Sequence, residues 1–316
     1  MKNTFFPQFI SCSKGTSLEQ SIAFTRSVDE YFFGSNGEEN KILKLINKGE
    51  GDMFFAISQL INAYNAKASL SLLDNYDVPS FKKYLYISGK LTLLSKDKLQ
   101  WAYYGVNVMH FFSILMSDNL DLLNYLVSHR DEIVDIHEPY NRKDLREFFN
   151  ANTLLAISGE FDLLKERALL FLNDEKKTKS DKIRIPDHNF YVALADKNIE
   201  DMRLALSILL EPKYSRRAAY DTEVHFDFYL QLQVLMYAKI AMRHGFDLKI
   251  NSPIAPSELI EISSMNIYDD PYEFMQGFDY YKPYEEWIGF CLEKMNKINK
   301  EKEKEPFSFK RWFNIK

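Results

Sequence analysis

Residues 190–210 read FYVALADKNIEDMRLALSILL, and the rest of the chain is organised around this stretch. Its large apolar residues recur at intervals of three to five positions, which is the spacing of an apolar helix face. A polar turn at residues 195–198 interrupts the pattern. Pro212 ends it, because proline removes a backbone donor and disfavours helix in the residue before it. The stretch therefore predicts two helices in an antiparallel hairpin.

The residues that follow predict one longer helix and then a change of pattern. The apolar positions of this helix are Val224, Phe228, Leu232, Leu235 and Met242, and Gly245 closes it with a residue that tolerates positive φ. Residues 246–250 then alternate between apolar and polar side chains, which predicts a short strand pair before the chain reaches two prolines.

Similar helical pairs occur earlier in the chain. Polar or glycine-containing turns precede Leu120, Phe161 and Ile199, and each is flanked by apolar helical patterns. The separation between these positions is in the range of helical-pair repeats. Independent hairpins in a compact irregular domain would give the same pattern, so both a compact and a solenoid-like arrangement stay open.

The composition agrees with an all-α fold of antiparallel helical hairpins. Glycine is scarce, with 11 in 316 residues, whereas the average share is about 7%. The charged run at residues 174–182 is typical of a solvated loop. It divides the chain into an N-terminal helical part, residues 1–175, and a C-terminal helical part, residues 183–316, although one continuous domain remains an alternative.

Charge and hydropathy narrow the classes of partner. The net charge of −5 argues against general binding to nucleic acid, which needs a basic excess. No stretch of 18 apolar residues is present, so no membrane span is predicted, and no secretory signal precedes Lys14. We therefore expect a cytoplasmic protein. The sequence leaves the oligomeric state open.

Motifs that would indicate chemistry are missing from the sequence. The six histidines show no HExxH or other ligand spacing, and Cys12 and Cys291 form no CxxC pair. There is no GxSxG nucleophile motif and no phosphate-binding loop with its lysine and hydroxyl residue. We therefore predict no catalytic residues, no metal site and no cofactor.

One stretch combines aromatic and acidic residues, from Tyr268 to Trp287. Tyrosine and tryptophan are common interface anchors, and acids beside them would suit a basic partner. The alternative is that the rings belong to the core and the acids only keep the surface soluble. The predicted partner-binding residues are Tyr268, Asp269, Asp270, Tyr272, Glu273, Asp279, Tyr280 and Tyr281.

Three motifs in the C-terminal half together resemble bacterial immunity protein family 49. The first is ALAD at residues 193–196, leading to LLEP at 209–212. The second is RHG at residues 243–245, followed by NSPIAPSEL at 251–259, and the third is YDDPYEF at 268–274.

This resemblance spans roughly residues 150–275 and implies a mostly helical, cytoplasmic, non-enzymatic protein that binds one toxin domain and blocks it. The resemblance assigns no interface residues in this chain. The favoured hypothesis is an immunity protein that occludes the basic active site of a cognate toxin, such as a nuclease domain. The alternatives are a helical-repeat scaffold that recruits other proteins and a helical hydrolase without a recognisable motif.

Overall fold

The computed structural model describes residues 17–34, 40–48, 52–95, 109–133, 141–143, 146–216, 223–276, 280 and 293. Within these residues the regular structure is helical and no strand occurs, which confirms the predicted all-α fold. The N-terminal helices are α1 (Leu18–Phe33), α2 (Lys41–Lys48), α3 (Met53–Asn75), α4 (Val78–Ser95), α5 (Met109–Met116), α6 (Leu120–Ser128) and α7 (Arg130–Ile133).

The remaining helices include the pairs predicted from the sequence. They are α8 (Arg146–Ser158), α9 (Phe161–Leu172), α10 (Lys179–Ile183), α11 (Ile185–Ala195), α12 (Ile199–Leu209), α13 (Pro212–Ser215), α14 (Leu232–Arg243), α15 (Ser257–Ile260) and α16 (Glu273–Gln276). In the described part of the chain, no helix combines the length and the apolar character that a membrane crossing needs.

Each of the three predicted hairpins has a left-handed residue in its turn. Asp118, Gly159 and Lys197 end α5, α8 and α11, and each adopts a left-handed backbone conformation. A left-handed residue reverses the chain after a helix. The amides after Gly159 and Lys197 bond back to the last helical turn, whereas the amide after Asp118 bonds to the Ser117 hydroxyl. The helices that follow begin at Leu120, Phe161 and Ile199, where the sequence pattern placed them.

A single large core joins the two halves of the chain. Its buried side chains run from Phe32 in α1 to Met275 in α16 without a break at the charged run. Phe226 illustrates the continuity, because its ring lies 6.0 Å from that of Phe81 in α4 and 5.6 Å from that of Phe112 in α5. The division into two helical parts stays a prediction.

The predicted start of the long helix is wrong. Residues 223–230 form successive turns, and α14 begins only at Leu232. The Gln231 amide donates to the Ile254 carbonyl at 2.7 Å, so the helical ladder cannot continue through this position. Phe226, Phe228 and Leu230 are all fully buried, which fits a segment enclosed by other helices.

The predicted strand pair at residues 246–250 is also wrong. Lys249 is left-handed, and its amide bonds to the Asp247 carboxylate at 2.9 Å instead of to a neighbouring strand. The Leu248 carbonyl accepts a hydrogen bond from the Arg203 guanidinium at 3.1 Å. Only an isolated bridge between Ser252 and Ala255 resembles strand pairing in the described residues.

Two left-handed glycines provide a matched test of how the hairpins dock. Alanine at Gly159 would place its Cβ 3.2 Å from the His244 ring, whereas alanine at Gly245 would meet nothing within 4 Å. Gly245→Ala should therefore lower the unfolding free energy only by the cost of holding alanine in a left-handed conformation, about 1–2 kcal/mol. Gly159→Ala should cost measurably more in urea denaturation, and equal losses would contradict the packing of this hairpin on α14.

Candidate functional site

A buried ion cluster lies where the two halves of the chain meet. The Asp118 carboxylate contacts Lys82 Nζ of α4 at 2.7 Å and Lys239 Nζ of α14 at 2.6 Å. All three side chains are buried. Two ammonium groups against one carboxylate leave an excess positive charge, which costs free energy unless further acceptors surround it. We call Lys82, Asp118 and Lys239 the buried clamp.

The backbone after α15 supplies those further acceptors. Lys239 Nζ donates to the Glu261 carbonyl at 3.1 Å, and Lys82 Nζ donates to the Ser263 carbonyl at 3.3 Å. In return, the Ser263 amide donates to the Asp118 carboxylate at 3.1 Å. The clamp therefore holds the start of the segment that leads into the predicted contact residues.

Burial has an electrostatic consequence for the clamp. It lowers the pKa of Lys239 to about 8, and the Asp118 carboxylate partly opposes this change by favouring the ammonium form. Lys239 therefore remains largely charged at neutral pH, where its attraction to Asp118 persists.

Tyr268 is half-buried and bonded to the rest of the chain. Its hydroxyl donates to the Ser117 carbonyl at 2.9 Å and accepts from the Met265 amide at 3.0 Å. Its ring packs on Tyr86 of α4 at a centroid distance of 4.8 Å. The side chain thus fixes the segment against α4 and the α5–α6 turn.

Three more of the predicted residues are similarly engaged. Asp270 pairs with the buried Lys90 at 2.6 Å and accepts a hydrogen bond from the Tyr86 hydroxyl at 3.0 Å. The Tyr272 and Tyr280 hydroxyls lie 3.0 Å and 3.3 Å from those of Tyr64 and Tyr86, respectively. These side chains are half-buried and make structural contacts within the chain.

Asp269 and Glu273 are the exposed members of the predicted set. Asp269 pairs at 2.9 Å with Lys83, whose side chain is 42% exposed. Asp279 and Tyr281 lie outside the described residues, as do Cys12 and Cys291. The structure therefore brings the predicted acids and rings to one side of α4 and leaves two carboxylates facing outward.

Sequence reasoning missed both the clamp and two exposed isoleucines, Ile262 and Ile267. A signal for the clamp was present: Lys82 and Lys239 each interrupt an apolar helical run. A lysine at such a position needs a partner if the helix is buried, but its partner cannot be read from local spacing.

A second buried polar cluster contains a histidine, which is a residue type that the hydrolase alternative would need. His225 Nδ1 lies 3.2 Å from the Thr25 hydroxyl, and Nε2 lies 2.9 Å from the Asn62 side-chain oxygen. Burial lowers the pKa of His225 to about 4, so this histidine is neutral near pH 7. Within the described ranges, no group of three or more His, Cys, Asp or Glu residues is arranged to hold a metal ion.

The comparison with known families gives one result. Residues 150–259 match the family model of immunity protein 49. The match begins within α8 and ends within α15, and it includes Lys239 of the clamp. Searches of curated proteins and of solved structures found no match.

The immunity protein 49 match confirms the resemblance drawn from the sequence over the hairpins α8–α9 and α11–α12 and over α14. The third motif, residues 268–274, lies beyond the matched segment.

Substitutions in the buried clamp should show how much each of its charges contributes to the unfolding free energy. Asp118→Asn leaves two buried lysines without a counter-ion and should cost about 3–5 kcal/mol of unfolding free energy. Lys239→Met leaves a neutral Lys82–Asp118 pair and should cost less. Lys83→Met, which removes an exposed ion pair, should change stability by at most about 1 kcal/mol. Urea denaturation measures all three, and a stability of Asp118→Asn close to that of Lys83→Met would contradict the clamp.

Glu223 should make stability depend on pH. Burial raises its pKa to about 7, against a hydrogen bond with Asn65 that lowers it. Because the folded state holds this proton more tightly than the unfolded state, Glu223 loses its stabilising effect as pH rises from about 4.5 to 7. The unfolding free energy of Glu223→Gln relative to wild type should therefore increase over this interval. A difference that is constant with pH would contradict the raised pKa of Glu223.

Proposed function

We propose that the chain is an immunity protein that neutralises a cognate bacterial toxin by stoichiometric binding in the cytoplasm, without catalysis. The single observation that supports this most strongly is the match of residues 150–259 to immunity protein 49. Binding would occlude the active site of the toxin and would require no cofactor or metal.

The charge of the surface around the predicted residues favours a basic partner. Residues 258–273 contain five acids and no lysine or arginine. Lys83 and Lys90 of α4 pair with Asp269 and Asp270, and the exposed Glu258, Glu261 and Glu273 leave an excess of acids. A nuclease toxin must present positive charge to its own phosphate substrate. An acidic surface therefore complements such a toxin and would favour rapid association with it. We therefore propose that the toxin is a nuclease.

The scaffold alternative is supported by the three hairpins that each have a left-handed residue in the turn. Repeated helical pairs are common in proteins that recruit peptides or other proteins. This alternative predicts weak binding to several partners, whereas immunity predicts one stoichiometric complex.

Protection from a toxin tests the proposed function directly. Sensitive bacteria that express the toxin encoded beside this chain should survive when the chain is co-expressed, and the two proteins should purify as a stoichiometric complex. Asp269→Lys combined with Glu273→Lys should slow association and reduce its dependence on salt, because both acids are exposed and would meet a basic surface.

The matched control for this charge reversal is Asp162→Lys combined with Glu166→Lys. Both acids are exposed on α9, so the net charge of the chain changes equally at a different surface. Loss of protection with the first pair alone supports the acidic surface. Failure of the wild-type chain to protect, with binding to several unrelated proteins, would favour the scaffold.

A further inference from the structure

Ile267 is the most exposed large apolar side chain in the described residues, and it shares one irregular segment with a second exposed isoleucine, Ile262. Ile267 is 71% exposed and Ile262 is 40% exposed. Both belong to residues 261–268, which we call the docking loop and which contain no helix or strand. Single exposed apolar residues are ordinary on protein surfaces, so exposure alone decides nothing.

The docking loop differs from an ordinary loop because it is bonded to the protein interior along its length. At its start, the Glu261 and Ser263 carbonyls accept from the buried clamp, and the Ser263 amide donates to Asp118. Next, the Ser264 hydroxyl donates to the Asp118 carbonyl at 2.8 Å. At its end, Tyr268 bonds both the Met265 amide and the α5–α6 turn.

These bonds hold the loop in one conformation before any partner arrives. A surface that is already ordered loses less conformational entropy on binding, so more of its contact free energy appears as affinity. Apolar side chains on such a rigid support are suited to act as the few residues that dominate an interface.

A recess of about 190 Å³ adjoins the loop. Leu248, Ile250 and Ile260 contribute apolar lining, and the charged residues of the lining are Asp247, Lys249 and Glu261. Glu261 belongs to both the recess and the docking loop. The recess therefore reaches the residue that directly precedes Ile262 in the chain.

The surrounding charge selects the chemistry of the partner. Glu258, Glu261 and Glu273 are exposed acids in and next to the loop. Asp269 and Asp270 pair with Lys83 and Lys90, and the clamp lysines are buried, so the exposed charge near the loop has an excess of acids. Nucleic acid would be repelled by this charge, whereas a basic protein surface would be attracted.

We propose that the docking loop is the apolar anchor of the toxin-binding surface, with Ile262 and Ile267 seated in an apolar recess of the toxin that has a basic rim. This inference rests on the proposed function and specifies its surface. Asp269 and the adjoining acids orient the toxin as it approaches, and the two isoleucines make the contact that slows its dissociation.

The test is isothermal titration of the full chain with the purified protein toxin encoded by the neighbouring gene, inactivated at its catalytic site. Ile262→Ser combined with Ile267→Ser should weaken binding by about 30-fold or more, the change expected for loss of a dominant contact. The matched control is Leu204→Ser, which removes a 60% exposed leucine on α12 and should leave the affinity unchanged. Thermal denaturation confirms that the variants fold.

Each outcome decides the proposal. Binding by the double variant with wild-type affinity overturns the docking loop and leaves the immunity function intact. Absence of binding by the wild-type chain overturns the function and the loop together. Hydrogen exchange provides a separate readout of rigidity: the Ser263 and Met265 amides should exchange slowly in the free chain. Rapid exchange at both amides would also overturn the proposed rigid anchor.

Discussion

The buried contact of Asp118 with Lys82 and Lys239 is the interaction on which the arrangement of this protein depends. It joins a turn, an N-terminal helix and a C-terminal helix at one point of low solvent access. Attraction between opposite charges is strong in such a place, but desolvation of all three groups opposes it. The carbonyls of Glu261 and Ser263 accept hydrogen bonds from the two lysines and so stabilise the excess positive charge. The same bonds fix a segment that has no regular structure of its own.

This arrangement links the segment that matches immunity protein 49 to the rest of the chain. Residues 150–259 contribute Lys239, whereas Lys82 and Asp118 come from the preceding helices. The segment at residues 223–230 makes a second connection, because Phe226 enters the core between Phe81 and Phe112. The surface that we propose to bind a toxin is therefore supported by both parts of the chain, although its docking loop lies beyond the matched residues.

The helical pairs could be predicted from the sequence because their signals are local. Apolar spacing and polar turns located the starts of α6, α9 and α12, and those turns are governed by the conformations of Asp118, Gly159 and Lys197. Local alternation was misleading at residues 246–250. There a left-handed lysine and side-chain hydrogen bonds replace strand pairing.

The candidate surface could be predicted only in part. The sequence drew attention to Asp269 and Glu273, which are exposed, but it could not show that Tyr268 and Asp270 are engaged within the chain. Such contacts join residues that are far apart in sequence, so they cannot be predicted from the spacing of residues along the chain. The exposed isoleucines were missed for the same reason, because exposure is a property of the whole fold.

The structure of the chain bound to its toxin is the most direct measurement of the central claim. The docking loop should lie within the interface, with Ile262 and Ile267 buried against the toxin and the Asp118 cluster unchanged beneath them. An interface formed by another face, such as α9 and α12, with both isoleucines still exposed to solvent, would contradict it.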